Sequence, residues 1–173
     1  MTVCIFIDGP GGYGKTFLLN AIIGQLCQQR KIVLAVPLSG ILSLLLYRGH
    51  TAYSQFKIPI DLDEYATCNV SKQSGLANLL RETLLIIWDE TPMSNRYVIE
   101  AVDRTLQDVC DNTSPFGGKC IVFSGDFRQT LPIIADASVP EVVGACFNHS
   151  ALWQNIRHMR LRQNMRLDPT SQH

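Results

Sequence analysis

Apolar runs of strand length alternate with stretches of helical spacing along the chain. Val3-Cys4-Ile5-Phe6-Ile7 is continuous, apolar and rich in β-branched residues, which predicts a buried strand. From Phe17 to Gln29 the apolar residues Leu18, Leu19, Ile22, Ile23 and Leu26 recur at helical spacing. Lys31 to Val36 predicts a second strand stopped by Pro37, and Ser39-Gly40 opens a short helical run from Ile41 to Tyr47. Gly49 to Pro59 mixes polar and aromatic residues without a period and is expected to be a surface loop with ordered side chains. Residues 61–75 carry no strong pattern and are expected to be an irregular connection. Leu76 to Glu82 should be helical, and Leu84-Leu85-Ile86-Ile87-Trp88 is the strongest strand in the chain. A helix is predicted from Ser94 to Val109, with Tyr97, Val98, Ala101, Val102 and Leu106 on one face and a turn-rich stop at Asp111 to Gly118. Cys120 to Phe123 is the next strand, Pro132 and Pro140 bracket a loop, Ala151 to Ile156 is a short helix, and His158 to Arg162 a final strand. Strands alternating with helices predict a single three-layer α/β domain over residues 1–173, with a largely parallel central sheet.

Candidate chemistry falls just after predicted strands, at 9–16, 37–40, 89–90 and 125–129, and ligands of open parallel sheets bind at those carboxyl ends. Gly9-Pro10-Gly11-Gly12-Tyr13-Gly14-Lys15-Thr16 matches G-x-x-x-x-G-K-[ST] at every fixed position, between a strand and a helix. Its glycines let the backbone curl so that successive N–H groups point at phosphate oxygens, and the helix N-terminus adds partial positive charge. Lys15 can reach β and γ phosphates, and the Thr16 hydroxyl can bind Mg²⁺.

Composition narrows this only slightly. The 173 residues hold 15 basic and 15 acidic side chains, so any nucleic-acid contact must come from a local patch. Six cysteines, at 4, 27, 68, 110, 120 and 146, form no C-x-x-C pair, which favours a reducing compartment, cytosol or nucleus. No signal-peptide pattern is expected at the N-terminus, and the longest apolar stretch, Ile32 to Tyr47, is broken by Pro37, Ser39, Gly40 and Ser43, short of a membrane span.

A phosphate loop needs a metal partner and a way to activate water. Asp89 can hold Mg²⁺ through its outer sphere or a water, and Glu90 can polarise an attacking water as general base. An acidic turn after a strand is also common without any chemistry. In Gly125-Asp126-Phe127-Arg128-Gln129, the Gln129 amide can touch a γ-phosphate or its water, and the same residues can equally be a polar turn. Arg166 could stabilise charge on a transferring phosphoryl group, but Arg157, Arg160 and Arg162 lie nearby, and a basic cluster is usually a solvated surface.

In order along the chain stand the phosphate loop, Ser39-Gly40-Ile41, Thr51-Ala52-Tyr53-Ser54-Gln55-Phe56, Ile87-Trp88-Asp89-Glu90, Gly125 to Pro132 and Leu161-Arg162-Gln163-Asn164-Met165-Arg166. This series resembles the Pif (petite integration frequency) family of DNA helicases in superfamily 1, most of all the branch carried by eukaryotic Helitron transposons. The resemblance covers nearly the whole chain. It implies a RecA-like P-loop domain that hydrolyses ATP with Mg²⁺ and moves 5′ to 3′ along single-stranded DNA in the nucleus, with roles in repair, recombination, telomere maintenance or transposition. It gives Lys15, Thr16, Asp89 and Glu90 their family roles, and lets Gln129 and Arg166 reach the γ-phosphate. It assigns Ser39, Gly40, Thr51, Tyr53, Ser54 and Phe56 to DNA contact, with Tyr53 where the family often carries histidine. On the residues alone, Tyr53 and Phe56 could instead pack inward and pin their loop. The resemblance also implies a second RecA-like domain with another arginine finger, expected to be missing here, and an adenine-reading glutamine before the first strand, for which no match is expected.

Other readings stay open. A small nucleotide kinase would lack the Asp-Glu pair and carry an arginine-rich lid, and a GTPase would carry an Asn-Lys-x-Asp tetrad that this sequence does not contain. A catalytically incomplete nucleotide- or DNA-binding remnant would keep all of these first-domain residues.

Overall fold

The computed structural model describes residues 3–37, 40, 44–129, 131–134 and 137–165. The candidate residues Ser39 and Arg166 lie outside that set. Strands β1 (Cys4–Asp8), β2 (Val33–Pro37), β3 (Leu85–Asp89), β4 (Cys120–Gly125) and β5 (Arg157–Arg160) form one sheet in the order β2-β3-β4-β1-β5. Every pairing among them is parallel.

Alternation along each central strand builds two cores. Phe6, Ile86, Trp88, Ile121 and Phe123 point to one face, against Val98, Val102 and Leu106 of helix α4 (Arg96–Val109). Ile7, Leu85, Ile87 and Val122 point to the other, against Leu19 and Ile23 of helix α1 (Lys15–Gln28). Helices α2 (Ala52–Phe56) and α3 (Gly75–Glu82) add Ala52, Phe56, Ala77 and Leu80 to the α4 side. This is the predicted three-layer architecture. It also explains the continuous apolar runs, since a strand covered on both faces has no polar side to alternate with.

Four expectations need correction. Residues 44–48 are turns, so the helical run does not extend to Tyr47. The stretch from Gly49 to Pro59 holds α2, which Thr51 caps by accepting from the Ser54 N–H at 3.3 Å. Five residues make fewer than two turns, too few for a visible period. A further helix, α5 (Val139–Gly144), begins inside the loop expected between Pro132 and Pro140, opened by Ser138 and Glu141 as a capping box. Finally, β5 lies one residue earlier at its start and two at its end than expected, with Phe6 opposite His158.

Candidate nucleotide site and nucleic-acid face

Strand β1 runs straight into the phosphate loop, and the Gly9 N–H bonds the Gly125 carbonyl at the end of β4 at 3.4 Å. The turn into α1 needs glycine at Gly14, which caps the helix at φ 80 with Met165 Cγ 3.2 Å from where a Cβ would stand. The first N–H groups of α1 have no carbonyl a turn earlier to bond, so they offer donors to an anion. Lys15 is buried, and its ammonium donates to Gly9 O at 2.6 Å and Pro10 O at 3.3 Å. An ammonium has three donors, so this posture holds Nζ at the loop with capacity for one more acceptor.

At the end of β3, Asp89 is buried, and its Oδ1 accepts from the Glu90 N–H at 3.0 Å and from the Ser124 hydroxyl. Two donors on one oxygen fix the plane of the carboxylate. Ser124 is fully buried and was not singled out by the sequence, because a lone serine in an apolar strand resembles core filler. The available signal was register: with Trp88 opposite Phe123, the next residues along are Asp89 and Ser124.

Glu90 sits at φ 55, a left-handed conformation in which a side chain is strained. Burial and then the charge of Asp89 push its carboxyl up; Lys15 pulls it back and Asp126 adds to the rise. A carboxyl with a raised pKa is suited to accept a proton from water near neutral pH.

The turn after β4 completes the site. Gly125 leaves no room for a side chain, since a Cβ would stand 2.2 Å from Pro92 Cδ. Burial pushes the Asp126 carboxyl up, but Arg128 outweighs it and holds the group below the usual carboxylate range. That arginine bonds Asp126 through its backbone N–H at 3.0 Å and its Nε at 2.8 Å. The Gln129 amide then reaches the loop, with Nε2 3.5 Å from where a Gly11 Cβ would be. Residues after β5 fold over the same place: Leu161 N–H bonds Asp8 O at 2.8 Å and Met165 N–H bonds Gly12 O at 2.9 Å. Gly11, Gly12, Lys15, Thr16, Glu90 and Gln129 thus line one cavity of ≈ 330 Å³. Asp89 and Thr16 offer only oxygen ligands, the donor set a Mg²⁺ ion shares with phosphates and water.

The residues expected to touch DNA divide. Ser54 and Tyr53 are exposed on α2, Thr51 is half-buried as its cap, and Gly40 is exposed. Phe56 is only 1% exposed and stacks on Trp88, with ring centroids 5.7 Å apart and planes at 23°. It is a core residue, which corrects its assignment as a DNA contact. An amphipathic five-residue helix has one inward face, and Ala52 and Phe56, four apart, share it.

The sequence model of PIF1-like helicases matches residues 2–173. This chain belongs to the PIF1-like helicase family. Among curated PIF1-like relatives, it is 34% identical over 131 residues to the ATP-dependent DNA helicase Pif1 of Psychrobacter sp. strain PRwf-1, covering 75% of this chain and 20% of that protein. It is 30% identical over 154 residues to the ATP-dependent DNA helicase RRM3 of Saccharomyces cerevisiae, covering 87% of this chain and 21% of that one. The crystal structure of Bacteroides Pif1 bound to single-stranded DNA superposes with a TM-score of 0.80 at 25% identity, over 96% of this chain and 40% of that one. The fold is therefore that of the RecA-like domain of Pif1 helicases. The chain spans about a fifth of these two curated relatives.

Proposed function

We propose that this PIF1-like chain is the first, ATP-binding motor domain of a Mg²⁺-dependent, 5′-to-3′ DNA helicase acting in the nucleus. One observation carries the reading: the phosphate loop, Glu90 and Gln129, separate in sequence, line one cavity beyond the carboxyl ends of β1, β3 and β4, with Asp89 the last residue of β3. The loop N–H groups and Lys15 hold the β and γ phosphates. Thr16 and Asp89 would hold Mg²⁺, which would supply charge neutralisation at the phosphate oxygens. Asp89 keeps its orientation through Ser124 and the Glu90 N–H. Glu90 takes a proton from the attacking water, and Gln129 orients that water against the γ-phosphate. Arg166 and a second RecA-like domain complete the transition-state contacts, as the family resemblance implies. Thr51, Tyr53, Ser54, Ser39 and Gly40 form the face for single-stranded DNA, with phosphate contacts that position the strand without reading its sequence.

The chain should bind Mg²⁺·ATP, and Lys15→Ala should weaken that binding by about a hundredfold or more, the loss of a charge-assisted contact to phosphate. Calorimetric titration of both proteins decides the matter: equal affinities would overturn the assignment of the loop.

A further inference from the structure

Strand β5 is an open edge of the sheet. It pairs with β1 on one side, no strand lies beyond it among the described residues, and all four of its residues are exposed. Asp8 stands opposite Arg160, and the Leu161 N–H bonds the Asp8 carbonyl at 2.8 Å, so the odd-numbered positions turn their backbone towards β1. Backbone direction alternates along a strand, and the N–H and C=O groups of His158 and Arg160 therefore face outward.

The edge is also basic. Ala151 to Met165 contains Arg157, His158, Arg160 and Arg162 and no acidic residue. The carboxylates of Asp8 and Asp126 are held by Arg128 and Arg160, while Arg157 and Arg162 make no ion pair among the described residues. Beside the edge lies a cavity of ≈ 460 Å³ with an aromatic lining. There the Trp153 ring lies 4.5 Å from His158, 5.1 Å from Phe6 and 5.3 Å from Phe127, centroid to centroid.

We infer that β5 is a docking edge for an acidic, extended segment of a partner protein, which adds a strand to the sheet and seats one apolar side chain in the aromatic cavity. The outward N–H and C=O groups of His158 and Arg160 match a peptide backbone, whereas a nucleic acid has no ladder to join them. Arg157 and Arg162 favour carboxylates along that added strand. A second copy joined edge to edge would set arginines against arginines, the arrangement by which natural edge strands keep copies apart. Alternate side chains of the added strand share one face, so a residue beside His158 reaches the cavity.

The test titrates the chain into a fluorescein-labelled peptide of about nine residues, in which glutamate alternates with valine around one central phenylalanine. By anisotropy it should bind at least about tenfold more tightly than the same peptide with lysine for glutamate. Alanine for the phenylalanine should weaken binding about tenfold, the loss of one buried aromatic side chain. Methylating the peptide nitrogens removes the ladder donors, keeps the charge and should abolish binding. Arg157→Glu should weaken binding about tenfold, and so should His158→Pro, which removes an outward donor, with circular dichroism as the folding control. A methylated peptide that binds as tightly as its parent reduces the contact to charge and overturns the added strand, whether or not His158→Pro folds. Equal affinity for the glutamate and lysine peptides overturns the acidic partner. If Arg157→Glu weakens binding of a thymidine oligonucleotide and leaves the glutamate peptide unchanged, the edge serves nucleic acid and the inference falls. Dimers of the parent in sedimentation, dispersed by His158→Pro, would make the edge an interface between copies and overturn it too.

Discussion

The phosphate loop and the segment around α2 were both marked in the sequence, but they are built on different physical terms. The loop works through its backbone. Its N–H groups, the left-handed turn at Gly14 and the buried amine of Lys15 follow from residue types within eight consecutive positions. The α2 segment works through side chains whose direction depends on what lies beneath them. Phe56 turns inward because Trp88 offers a face, and Tyr53, about 60° away around the same helix, stays 39% exposed on its flank. A contiguous motif that acts through its backbone carries its own geometry, whereas a motif that acts through side chains borrows geometry from the core.

The comparison can be broken first at Glu90, the carboxylate proposed as general base. In a protein extended to the length of its relatives, Glu90→Gln should lower ATP turnover by about 10²–10⁴-fold and leave nucleotide affinity within about threefold. Steady-state turnover with a binding titration tests this, and an unchanged kcat would remove Glu90 from the role of base. The parent should lose turnover as acid protonates Glu90. Because burial and Asp89 raise its pKa, that loss should set in at higher pH than an ordinary glutamate would give.

Phe56→Ala should destabilise the chain by about 3–5 kcal/mol, the usual loss for a truncated core aromatic. Tyr53→Ala, three residues away on the exposed flank, should stay within about 1 kcal/mol. Urea unfolding of the two variants separates the faces of α2. Similar losses for both would mean that the helix has no outward side.

A smaller effect is expected in DNA binding. Thr51→Ala combined with Tyr53→Ala should weaken binding to single strands by about 1–3 kcal/mol in the extended protein. The contact should weaken further as salt rises. Fluorescence anisotropy at two salt concentrations, with circular dichroism as the folding control, would falsify this role if the folded double variant bound as tightly as its parent.

The smallest effect concerns stability. Glu90 holds its proton more tightly folded than unfolded. Its protonated form therefore favours the fold at low pH, and that contribution is lost as pH rises through the raised pKa. Glu90→Gln removes the charge and should stabilise the chain by about 0.5 kcal/mol at neutral pH, with the gain shrinking in acid. Thermal melts at two pH values measure it. A gain that grew in acid would contradict the direction of the shift.

The amino-acid sequence by itself determined the layer architecture, the sheet's parallel sense and the phosphate loop. Continuous apolar runs, a 3.6-residue period and a glycine pattern are local signals, and each is complete within one element. It also marked Asp89, Glu90 and Gln129, since each follows a strand whose end is visible in the chain. Tertiary structure decided the rest. It placed Ser124 on Asp89 through the register of β3 and β4, which no single segment encodes. It made a helix of Ala52–Phe56, too short to show a period, and buried Phe56 against a tryptophan 32 positions further along. It gave Phe17 its place at the cavity beside the phosphate loop, where the helical pattern alone marks only a residue off the core face. Contacts between residues far apart in sequence depend on how strands pair and faces meet, and that information exists only once the sheet has formed.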